Sequence, residues 1–91
     1  MLYPYITLSD ETAISHSHII EENSLQMVEV HFERPTEDGF DMARVQLPSY
    51  NWIIKEGFFD SEIQFFEQFL VSNAHLIYRF AQNGGMCCCE Q

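Results

Sequence analysis

His16, His18, Glu29 and His31 are the residues of this chain whose types and spacing could do chemistry. Within each pair one residue intervenes, so on a β-strand each pair projects to a single sheet face. If the two strands are adjacent and antiparallel, with Ile19 across from Val28, His16 faces His31 and His18 faces Glu29. Directly opposed side chains have Cβ atoms about 4.5–5.5 Å apart. Two imidazoles and a carboxylate at that range suit a divalent metal such as zinc, nickel or iron. The same set could serve as acid, base and positioning group near neutral pH. His-x-His on a half-solvated strand is a weak signal, however, because a one-residue slip sends a strand's side chains to the other face. A solvated sheet face is the main expectation. A small homodimeric metal-binding protein or enzyme built on His16, His18, Glu29 and His31 is the alternative.

Nothing else resembles a catalytic motif. The chain has no Gly-rich phosphate loop, no nucleophile elbow and no His-Glu-x-x-His helix. Cys87, Cys88 and Cys89 are consecutive, without the spacer that zinc-binding cysteines use. Adjacent cysteines cannot join distant parts of a fold, and an odd count leaves one unpaired. They are expected in a reduced tail over 86–91, behind Gly84-Gly85, in a cytoplasmic protein. No cofactor is expected.

Charge is the strongest compositional feature. Of 91 residues, 14 are Asp or Glu and 4 are Lys or Arg, for a net charge of −10, while 46% are hydrophobic. A disordered acidic segment would lack that apolar content. One folded domain over 1–85 is expected, carrying its charge outside. Such a surface repels nucleic acid and anionic membranes and attracts basic protein surfaces. No run approaches the ~18 apolar residues of a membrane span. Met1-Leu2-Tyr3-Pro4-Tyr5 has no basic n-region, so no secretory signal is expected there. The preferred function is a non-catalytic acidic interaction module that binds a basic surface, as an inhibitor or regulator of a nucleic-acid enzyme or toxin-like partner. Its candidate contacts are Glu33, Glu37, Asp38 and Asp41 around a hairpin, and Glu56, Asp60 and Glu62 around a helix start. Asp60 and Glu62 also complement the helix dipole.

The elements that must position these residues are legible as periodicities. Tyr3–Leu8, Ala13–Ile20, Met27–Arg34 and Phe40–Leu47 read as strands, and Met27–Arg34 alternates most clearly. Asp38-Gly39 marks a hairpin. As a two-residue turn it would set Phe32 across from Val45 and Val30 across from Leu47. A two-residue turn at Asp10-Glu11 would put Ile6, Leu8, Ala13, Ser15, Ser17 and Ile19 on that same face. The expected core is Ile6, Leu8, Ile19, Val28, Val30, Phe32, Val45 and Leu47. Tyr3, Tyr5, Arg44 and Gln46 would then join the histidines on the open face.

Ser49–Glu56 is expected as a short helix, with Ser49 as N-cap and Gly57 as its stop. A long helix should run from about Asp60 to Asn83, with Ser61 and Gln64 as a capping box. Ile63, Phe66, Leu70, Ala74, Ile77 and Ala81 form its apolar stripe. Phe65, Phe69, Leu76 and Phe80 form a second stripe, a candidate homodimer or oligomer interface. Trp52 is expected to plug one end of the core with its N–H still bonded. The fold class is α+β: a four-stranded antiparallel meander, a short helix, and a long C-terminal helix on one sheet face.

Overall fold

The computed structural model describes residues 2–82, so Cys87–Cys89 and the expected tail lie outside the described residues. The class is α+β, but with six strands and a single helix among the described residues. The strands are β1 (Tyr3–Thr7), β2 (Ala13–His16), β3 (Ile20–Glu22), β4 (Leu25–Thr36), β5 (Gly39–Leu47) and β6 (Asn51–Glu56), followed by α1 (Asp60–Gln82). All neighbours are antiparallel in the order β1-β2-β4-β5-β6, with β3 beside the start of β4. α1 lies across one sheet face, and no described helix is long and apolar enough to cross a membrane.

The short helix expected at Ser49–Glu56 is instead strand β6. Ser49 does not cap a helix. Its hydroxyl donates to the Gln46 carbonyl at 3.2 Å and accepts the Asn51 N–H at 3.3 Å. Tyr50 takes a left-handed φ of 59°, which closes a tight reversal. The Trp52-Ile53-Ile54 run that follows prefers a pleated surface, and β5 offers it a free edge. Gly57 does stop the element, at φ 89°, but the element is a strand.

The turns fix the register. Glu37 and Asp38 form the β4–β5 turn, so Thr36 faces Gly39 and Phe32 faces Ala43 rather than Val45. That two-residue shift preserves the faces, and Val28, Val30, Phe32, Val45 and Leu47 are buried as expected. Asn23 and Ser24 both have positive φ, 53° and 66°. This is the turn type that matches strand twist, and it creates the unforeseen strand β3. Ile20 faces Met27 across it, the register that would set Ile19 opposite Val28.

That register does not persist. Between β3 and β2 the chain gains one residue against β4, and His16 faces Val30 instead of His31. Ser17 secures the irregularity: its hydroxyl accepts the Glu29 N–H at 3.0 Å and donates to the His18 carbonyl at 2.8 Å. The parity of β2 is thereby inverted, so Ile14 and His16 point toward the helix and Ala13 is exposed. Burying Ile14 in place of Ala13 removes more apolar area from water, which favours the slipped arrangement. The Asp10-Glu11 connection is wider than a two-residue turn, with the Leu8 N–H bonded to the Thr12 carbonyl at 2.8 Å. β1 carries its own irregularity between Pro4 and Ile6. Consequently Tyr5 packs toward the core, while Ile6 is left exposed.

α1 supplies the other half of the core. Ile63, Phe66, Leu70, Ile77 and Ala81 are buried along the expected stripe. Phe66 stacks on Phe32, and Phe32 also meets Trp52 at 5.9 Å between ring centroids. The Trp52 N–H donates to Glu67 on α1 at 2.8 Å, as an edge-of-core tryptophan should. On the opposite flank Tyr5 meets Phe69 and Phe80, and its hydroxyl donates to Asn73 at 2.8 Å. Much of the second helical stripe is therefore used inside the monomer, against β1.

Candidate acidic binding surface

The far end of the β4–β5 hairpin and the β6–α1 junction meet at one end of the molecule. Their meeting point is Arg34, which continues the inward alternation Val28, Val30, Phe32 and faces Asp41 across the ladder. A cation at the end of a buried row needs partners, and three carboxylates provide them. Arg34 donates to Asp41 at 2.8 and 3.1 Å, to Glu62 at 2.5 Å and to Asp10 at 3.4 Å. Its guanidinium also lies over the Phe58 ring, 4.7 Å from the centroid. Loop, hairpin and helix are thus tied together by one side chain.

Glu62 has a second task, accepting the Phe59 N–H at 2.9 Å in the first helical turn. This reach-back is the carboxylate half of a capping box, placed two residues before the expected Ser61–Gln64 pair. Hydrogen bonding from Arg34 holds the Glu62 carboxyl below its ordinary range, and Phe59 adds to the effect. Hydrogen bonding from Thr12 does the same for Asp10, with Arg34 adding less. The carboxylates in turn hold the Arg34 guanidinium firmly protonated. Gly57 makes the approach possible, because at φ 89° any β-carbon would also collide with the Asp41 carboxylate.

On the open sheet face of the same end, Glu33, Met42 and Glu56 form a cross-strand row. Pro35 and Phe40 form the next row out, and Glu37 and Asp38 make the turn beyond. Phe40 is 66% exposed, and Phe59 beside the helix start is 75% exposed. The acidic residues singled out from the sequence therefore converge, but with different tasks. Asp41 and Glu62 are held by Arg34. Glu33, Glu37, Asp38, Glu56 and Asp60 take part in no ion pair among the described residues.

The histidine constellation is not assembled. His16 is fully buried on the helix side, between Tyr3 and Tyr5, and its Nδ1 lies 2.9 Å from the Ser17 carbonyl oxygen. His31 and Glu29 remain on the open face, 3.3 Å apart, with Arg44 3.7 Å from the same carboxylate. Ser15, not His16, faces His31. His18 is exposed between β2 and β3. Among the described residues no group of three or more His, Cys, Asp or Glu is placed to hold a metal ion.

No family model, curated protein or solved structure matches the chain. The reading of the surface therefore rests on its own geometry. Of the second helical stripe, Phe69, Leu76 and Phe80 are half-buried, and Phe65 is 53% exposed. Sequence reasoning missed the role of Arg34. The available signal was its place in the inward alternation of β4, which makes a charge there demand nearby carboxylates.

Proposed function

We propose that this domain is a non-catalytic acidic module that docks on a basic protein surface through its hairpin end. The observation that carries this reading is that Glu33, Glu37, Asp38, Glu56 and Asp60, all without an ion-pair partner among the described residues, lie with exposed Phe40 and Phe59 on the hairpin end and the β6–α1 junction that Arg34 ties together. Aromatic anchors within a charged rim are the usual composition of an energetically productive interface. The charge gives long-range attraction and fast encounter, and the rings give area once water is expelled. A Lys/Arg-lined groove, such as a nucleic-acid enzyme uses for phosphates or a basic toxin-like protein presents, is the matching partner class.

Retention on immobilised poly-L-lysine as salt is raised tests the reading. Reversing Glu33 and Glu56 to Lys should weaken retention at least several-fold more than reversing Glu21 and Glu22, which lie at the opposite end of β4. The two variants carry the same net charge. Equal losses would mean that only net charge matters, and would overturn the assignment of the site.

A further inference from the structure

A cleft of about 380 Å³ opens between the β1–β2 connection and the first turns of α1, lined by Leu8, Ser9, Asp10, Ser61, Glu62, Phe65 and Phe66. This volume lies within the range of small ligand sites. Its walls are mixed: Leu8, half-buried against the core, buried Phe66 and exposed Phe65 give an apolar part, and Ser9, Asp10, Ser61 and Glu62 a polar one. Asp10 and Glu62 also line it, and their cluster with Asp41 sets three carboxylates against the one Arg34 guanidinium.

We infer that this cleft is a socket for a lysine side chain of the basic partner, an inference that rests on the docking function proposed above. Charge complementarity selects the occupant. An anion would face two carboxylates, and a wholly apolar group would strip water from them without return. A cation on an aliphatic stem satisfies both parts of the cleft, with its methylenes against Leu8 and Phe65 and its head at the carboxylates. The remaining acceptor positions favour ammonium over guanidinium. Asp10 Oδ1 already takes the Thr12 N–H and its Oδ2 an Arg34 N–H, while Glu62 Oε1 takes the Phe59 N–H and both Glu62 oxygens face Arg34. Neither carboxylate therefore keeps a free edge, and the remaining lone pairs are scattered over different oxygens. Three divergent donors on a compact ammonium can use them, whereas a planar fork needs a free carboxylate edge. The helix N-terminus opposes any cation nearby, and Glu62 offsets that opposition from within the first turn.

The test is a titration of the full chain with N-acetyl-lysine amide, followed by amide chemical shifts, with N-acetyl-norleucine amide and spermidine as comparison probes. Saturable shifts confined to Ser9, Asp10, Ser61, Glu62 and Phe65 are expected with the lysine probe and not with norleucine. Asp10→Asn and Phe65→Ala should each weaken them at least three-fold while the remaining spectrum stays folded. Shifts spread evenly over the acidic surface, equal shifts with norleucine, or tighter saturation by spermidine would overturn the socket. If poly-L-lysine retention still depends on Glu33 and Glu56 while the cleft stays silent, the socket alone fails. Loss of both dependences removes the docking function as well.

Discussion

Phe32 and Phe66 stack nearly parallel, with ring centroids 4.2 Å apart and planes inclined by 14°. One ring belongs to the central strand and the other to the helix, so this contact joins the two layers. Phe58 and Trp52 close around it edge-on and tilted.

Truncating Phe66 to Ala removes that contact and leaves a cavity under α1. The expected cost is about 3–5 kcal/mol, a large part of the stability of a domain this small. Urea unfolding should show it as a lower midpoint with little change in slope. Phe65→Ala, on the exposed neighbouring position, should cost under about 1 kcal/mol.

Arg34→Met should destabilise by about 1–3 kcal/mol, because Asp41 and Glu62 lose their charge-assisted donors. Its pH dependence is more telling. Glu62 and Asp10 have folded values below their ordinary ones. Their contribution is therefore present above about pH 4 and lost as pH falls through the depressed values. Protonating the unpaired acids relieves repulsion and acts in the opposite sense, so the comparison between chains carries the result. Urea midpoints between pH 6 and pH 2.5 should fall more steeply for the native chain than for Arg34→Met. Parallel curves would contradict the assigned pairing.

Gly57→Ala places a β-carbon against the Asp41 carboxylate in a backbone conformation that L-residues avoid. A loss of about 1–3 kcal/mol is expected from the backbone alone. Part of any further loss should disappear when Asp41 is also truncated to Ala, because the colliding carboxylate is then gone while the β-carbon of residue 41 stays 2.9 Å away. A double-mutant cycle measured by thermal unfolding checks that coupling.

Ser17→Ala should cost about 1–3 kcal/mol, since the Glu29 N–H loses its hydroxyl acceptor at a nearly buried site. Hydrogen exchange at the Glu29 amide should quicken relative to that of Phe32, which is paired without irregularity to Ile14 on one side and Ala43 on the other.

How much of this was legible can be stated residue by residue. The helix was, because Ile63 through Ala81 repeat at helical spacing and nothing in the chain competes with that face. The faces of β4 and β5 were also legible, since period two survives a two-residue register error. β6 was misread because Ser49 and Gly57 look like helix punctuation, and both act instead at strand ends. The histidine cluster failed for a more local reason. A single extra residue near Ser17 inverts β2, and nothing in the alternation of Ala13–Ile20 marks where that residue sits. Ile14 was the one clue, being the larger apolar neighbour of Ala13. The acidic convergence was half legible: both groups of carboxylates could be named, but only the paths of β4, β5 and β6 bring them to one end.

The bond from Tyr5 to Asn73 spans 68 residues. A chain emerging from the ribosome therefore makes its first strand long before it makes the partner that holds it. The hairpins of β3–β4 and β4–β5 can pair from local contacts as they appear, but the row Val28, Val30, Phe32 has no cover until α1 is released. The helix follows every strand that it covers, and it arrives as one continuous segment carrying the missing half of the core. Covering that row is accordingly a contact of high sequence separation, the kind that slows folding, and the sheet's inner face stays apolar and open until it forms.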